Sequence, residues 1–121
     1  MIIENIPKSL AELYKSILSE LRPDWDVKID VEDYNLYKLG FVDEIPCSIS
    51  FNVSNKQMAE LYDKIIDMEV SVYMHEDLLL KNPINMTLNE KIQFEEVKKL
   101  EEEYYNKYRP LEGLAYDLSE E

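Results

Sequence analysis

The sequence predicts an α+β fold in the order α-β-β-β-α-α. A small antiparallel three-stranded sheet is packed by an N-terminal helix and a C-terminal helical hairpin. Three observations predict it. Helix-start signals occur three times, each closed by a proline, at Ser9–Glu12 with Pro23, Ser54–Gln57 with Pro83 and Thr87–Glu90 with Pro110. Apolar spacing is helical on either side of residues 23–54 and alternating within them. The chain has 121 residues, 45% of them hydrophobic, which suffices for a core without disulfides or metal.

In a capping box, a Ser or Thr hydroxyl and a Glu or Gln three residues on satisfy amides that a helix start leaves free. The residue before a proline avoids helical geometry, so the prolines read as stops. The first helix is expected over about residues 10–22. Leu10, Leu13, Tyr14, Ile17, Leu18 and Leu21 form its apolar stripe. Trp25, Val27, Ile29 and Val31 then alternate with charged residues, and Cys47, Ile49, Phe51 and Val53 alternate with Ser and Asn. Both stretches read as half-buried strands. Between them, Tyr34 to Val42 is expected to be a middle strand of uncertain register in an antiparallel meander.

The second helix is expected from about 55 to 81, on a stripe of Met58, Leu61, Tyr62, Ile65, Met68, Val72, Tyr73, Leu79 and Leu80. A strand over Glu69 to Met74 competes, because Val70, Val72 and Met74 alternate. The 3.6-residue period persists to Leu80 and favours helix. The third helix is expected over about 88–109, with Phe94, Val97, Leu100, Tyr104, Tyr105 and Tyr108 on one side. Residues 1–109 read as one domain and 110–121 as a short acidic tail. The first five elements follow the order of double-stranded-RNA-binding domains. Such domains need clustered Lys and Arg over phosphates, and here the second helix is mostly acidic.

Charge narrows the partners. Asp and Glu number 26 against 13 Lys and Arg, giving −13 and a pI near 4.4. This field repels nucleic acid and anionic membrane and favours a basic protein partner. Residues 1–22 balance three acids against three bases, so the deficit lies beyond them. The single cysteine excludes an internal disulfide. The N-terminal residues show no signal-peptide pattern, and no apolar run reaches the roughly 20 residues a membrane span needs. A cytoplasmic protein is expected, in the host cell if phage-encoded. The abundance of Lys, Ile and Asn over Arg, Ala and Gly points to AT-rich codons, hence a low-GC bacterium or its phage.

No motif for catalysis, cofactor or metal stands out, so no cofactor is expected. Cys47 reads as a small core residue and His75 as a surface or capped histidine. Asp24-x-Asp26-x-Lys28-x-Asp30-x-Glu32 is unlike a calcium loop, because Ile29 stands where glycine is needed and Lys28 replaces a ligand. Two glycines cannot make a phosphate loop. A dicarboxylate bundle site fails because Val72, not Glu, precedes His75 by three.

Three features remain. Glu69, Glu76 and Glu101 fall within apolar stripes, where burial would be costly unless they were paired. Val70, Met74 and Leu78, with Leu88 and Ile92, form a second apolar face and a candidate self-interface. Asp24, Asp26, Asp30 and Glu32, with Glu95, Glu96, Glu102 and Glu103, are candidate contacts for a basic partner. Acids one turn apart lie about 6 Å from one another, so a helix face of this kind can imitate a phosphate backbone. The alternative is a solvated face braced by Glu95–Lys99 and Glu103–Lys107 pairs. The expected function is that of a non-enzymatic protein that binds and inhibits or masks a basic, nucleic-acid-binding protein. An immunity or phage anti-defence protein would fit. The alternatives are a homo-oligomeric adaptor, a homodimer being the simplest, and an enzyme working through carboxylates and Mg²⁺.

Overall fold

A computed structural model describes residues 1–120. The chain divides into two compact units, Met1–Ser54 and Asn55–Glu121. The α+β class and the small antiparallel sheet stand as predicted. The element order does not.

The first unit runs β1 (Ile2–Pro7), α1 (Lys8–Leu21), β2 (Val27–Val31), α2 (Tyr34–Lys38) and β3 (Pro46–Phe51). The sheet order is β1-β3-β2, with both pairings antiparallel. The two alternating stretches are therefore the strands β2 and β3, and α1 packs on the sheet they form. Inward-facing Cys47 and Ile49 are fully buried, and Phe51, Trp25 and Val27 nearly so. Ala11, Ile17 and Leu18 of α1 join them.

The sheet takes its third strand from the N-terminus, not from Tyr34–Val42. That stretch forms α2 and a bend instead. Its end explains why. Phe41 N donates to Leu36 O at 2.9 Å and Gly40 N to Tyr37 O at 3.1 Å. This bond pair closes a helix through a left-handed residue, and Gly40 supplies it with φ +80°. The chain therefore turns where a strand would have run on.

β1 is bulged. Ile3 pairs with Ile49 and Ile6 with Cys47, so two residues of β1, Glu4 and Asn5, stand against one of β3, Ser48. Asn5 absorbs the mismatch at φ 56°, a region Asn tolerates better than most residues. Its amide donates to Glu32 Oε2 at 2.8 Å. The expected Ser9–Glu12 box is absent, since Pro7 occupies the cap position. The carboxylate of Glu44 does the work from a distance, accepting from Ser9 N at 3.0 Å and Ser9 Oγ at 2.9 Å.

The second unit is helical: α3 (Asn55–Met74), α4 (Glu76–Leu80), a 3₁₀ turn at Pro83–Asn85, α5 (Leu88–Glu103), a π turn at Tyr104–Tyr108, a second 3₁₀ turn at Arg109–Leu111 and α6 (Glu112–Ser119). Residues 69–74 are helical, not a strand. The expected helix of 55–81 breaks at His75, whose Nδ1 lies 2.7 Å from Ser71 O at the end of α3. The Thr87–Glu90 box forms as predicted, with both bonds at 3.2 Å.

The acidic-tail expectation is corrected. Pro110 does not end the helical path. The chain widens into the π turn, and Pro110 then falls in the first turn of the 3₁₀ segment that Arg109 begins, where its missing N–H costs little. The following α6 packs along α3 and buries Leu114, Ala115 and Leu118. Asn55 Nδ2 ties the two helices by donating to Leu118 O at 3.0 Å, and the Tyr62 and Tyr116 rings meet at 5.5 Å.

Candidate functional site

α3 shows two faces of different chemistry. Met58, Leu61, Ile65, Met68 and Val72 are buried. Each contributes roughly 1.5–3 kcal/mol by leaving water. On the opposite side, Glu60, Asp63, Asp67, Val70 and Met74 are all exposed. Their spacing is three, four, three, four, which keeps side chains on one helical face. The first three are acids and the last two are apolar.

Two open depressions lie along this helix. One, of about 450 Å³, is lined by Glu60, Asp63, Lys64, Asp67, Met68 and Ser71. The other, of about 320 Å³, is lined by Glu69, Val70, Tyr73 and Met74. Lys64 sits with its ammonium 5.9 Å from the Tyr108 ring centre. Tyr73 and Met74 are 74% and 78% exposed, high values for side chains of that size, so Tyr73 leaves the stripe expected to be buried, as does Leu80 beyond the break at His75.

The acids foreseen as partner contacts fall in two places. Asp24 and Asp26 precede β2, Asp30 lies on it and Glu32 follows it, all in the first unit. Asp24 takes both Arg22 nitrogens, Nε at 3.1 Å and Nη2 at 2.9 Å. That guanidinium bond holds its carboxyl below the usual range. Asp26 meets Lys28 at 3.4 Å, and Glu32 is occupied by the β1 bulge. Only Asp30 of this set lies outside the bonds and ion pairs of the described residues.

Glu95, Glu96, Glu102 and Glu103 are exposed on α5. The ion pair on this helix is Lys98–Glu101 at 2.9 Å, which pushes the Lys98 ammonium up; Glu95–Lys99 is not among the pairs of the described residues. The same bond accounts for Glu101, one of the acids within an apolar stripe. Glu69 is half-buried, and its charge adds to the effect of burial in raising the buried Tyr104 phenol. Glu76 is exposed.

The apolar candidates lie in the second unit. Val70 and Met74 share the smaller depression, Leu78 is half-buried on α4, and Leu88 and Ile92 are exposed on α5. A Lys81–Glu90 pair at 2.6 Å links the end of α4 to the first turn of α5, and it holds the Glu90 carboxyl low.

Glu60, Asp63 and Asp67 were not singled out by the sequence. The signal was available, since they extend the Val70–Met74 spacing toward the N-terminus. The stripe mixes acidic and apolar residues, so neither residue class alone marks it.

The reactive side chains are placed for structure. Cys47 is buried, its thiol donates to Ile45 O at 3.6 Å, and burial pushes it up, away from the nucleophilic thiolate. His75 is half-buried and bonded to a helix carbonyl. Among the described residues no group of three or more His, Cys, Asp or Glu could hold a metal ion. No helix among them is long and apolar enough to cross a membrane. No family model, curated protein or solved structure matches the chain.

Proposed function

We propose that the chain is a non-enzymatic binding protein that captures and masks a basic protein. The acidic depression of α3 is its contact. The observation that carries this reading is that depression itself, where Glu60, Asp63 and Asp67 are exposed side by side in a chain of net charge −13. Such a field draws a basic surface in and orients it before contact. A nuclease toxin or a nucleic-acid-binding protein presents that kind of surface. An inhibitor of the immunity or anti-defence type would act by covering it.

Capture from cells that make the protein, with partners identified by mass spectrometry, tests the reading. The expected partner carries a Lys/Arg cluster. It is lost as salt rises from about 0.05 to about 0.5 M, because the screening length shortens severalfold. It is also lost on Glu60→Lys/Asp63→Lys/Asp67→Lys. A partner without such a cluster, held equally at both salts, contradicts the reading.

A second reading is homo-oligomerisation through the hairpin of α4 and α5. It is favoured by Leu80, Ile84 and Leu88, which are 77%, 88% and 74% exposed. Light scattering that finds a strict monomer at high concentration removes it.

A further inference from the structure

We infer that the outer face of α3 receives a single amphipathic, basic helix from its partner. The inference rests on the reading above that the partner is basic, and it adds the partner's shape and pattern. From Glu60 to Met74 the stripe runs about 21 Å, the length of four helical turns. A helix laid along it can seat its own three-four spaced side chains between those of the stripe. Two depressions flank the stripe, one lined by Glu60, Asp63 and Asp67 with Lys64, Met68 and Ser71, the other by Val70, Tyr73 and Met74 with Glu69. An occupant matching both halves carries Lys or Arg over its first half and large apolar side chains over its second.

Charge excludes the simplest rival, a second copy of this chain. Parallel pairing would set Glu60, Asp63 and Asp67 against their own counterparts. Antiparallel pairing would set them against Val70 and Met74. Either arrangement leaves carboxylates desolvated without partners, which is costly. A helix with a basic half and an apolar half leaves none.

The test uses the full chain and fluorescent synthetic peptides about 18 residues long. One places Lys/Arg at the heptad contact positions of one half and Leu at those of the other. The other is a scramble of the same composition. Anisotropy is expected to show the patterned peptide binding roughly tenfold tighter, the scale of one interface hot spot. That preference disappears with Val70→Glu/Met74→Glu, and separately with Glu60→Lys/Asp63→Lys/Asp67→Lys. It survives Glu95→Lys/Glu96→Lys. All substituted positions are exposed, and circular dichroism checks that each variant stays folded. Equal, salt-sensitive binding of both peptides overturns the helix inference and leaves the basic-partner reading standing. Failure of both peptides to bind at low salt overturns both. Sedimentation of the protein alone is expected to give a monomer. A dimer dispersed by Met74→Glu assigns the face to a second copy and overturns the inference.

Discussion

The two faces of α3 carry the same number of key side chains and differ in chemistry. The inner five, Met58, Leu61, Ile65, Met68 and Val72, are buried and hold the helical unit together. The outer five, Glu60, Asp63, Asp67, Val70 and Met74, are exposed. A face that serves folding is uniformly apolar because water exclusion is its only task. The outer face changes from acidic to apolar halfway along. Folding does not require such a change, whereas recognition of a patterned partner does.

The largest effect expected is on the inner face. Ile65 is fully buried, so Ile65→Ala should cost about 2–5 kcal/mol through lost burial and the cavity left behind. Urea denaturation reads this directly. A loss below about 1 kcal/mol would mean the inner face is not the core of its unit.

The Thr87–Glu90 box should give an intermediate value. Thr87→Ala removes the hydroxyl that accepts from Glu90 N and should cost about 1 kcal/mol in the same assay. Gly40→Ala is a similar test in the first unit. Nothing lies within 4 Å of the added methyl, so the cost is purely that of a left-handed alanine, about 1–2 kcal/mol.

The outer face should barely register in stability. Val70→Glu and Met74→Glu should each change it by less than about 0.5 kcal/mol, as exposed positions do, while removing peptide binding. A large loss of stability at either would place these side chains in the fold and break the contrast between the faces.

The smallest expected effect is that of pH. The Glu90 carboxyl is held below 4.5, first by the Lys81 bond and then by the Thr87 amide. Its contribution is therefore complete above the unfolded value and fades as pH falls below about 4.5 through the folded one. Glu90→Gln should flatten that part of the acid limb. Steeper loss on acidification in the variant would contradict the assignment.

Much of the fold was legible where periodicity and caps agreed. Val27–Val31 and Cys47–Phe51 alternate and are strands, and Thr87 and Glu90 cap α5 as their spacing requires. The failures have physical causes. The bulge at Asn5 breaks the alternation that would have marked β1. Gly40 is a helix terminator, a role that the strand period of Tyr34–Val42 does not register. Pro110 looked like a stop because the π turn that lets the helical path pass it depends on packing of Tyr104 and Tyr108, both buried. Of the candidate surface, Val70 and Met74 were legible as a second apolar face. The acids ahead of them were not, since a chain with 26 acids offers many equivalent groupings until exposure selects among them.

We propose that the outer face of α3 is the binding surface, and titration of ¹⁵N-labelled protein with the patterned basic peptide decides it. Amide shifts concentrated between residues 60 and 74 are expected. Shifts centred on Glu95, Glu96, Glu102 and Glu103, or on the strand β2, would contradict it.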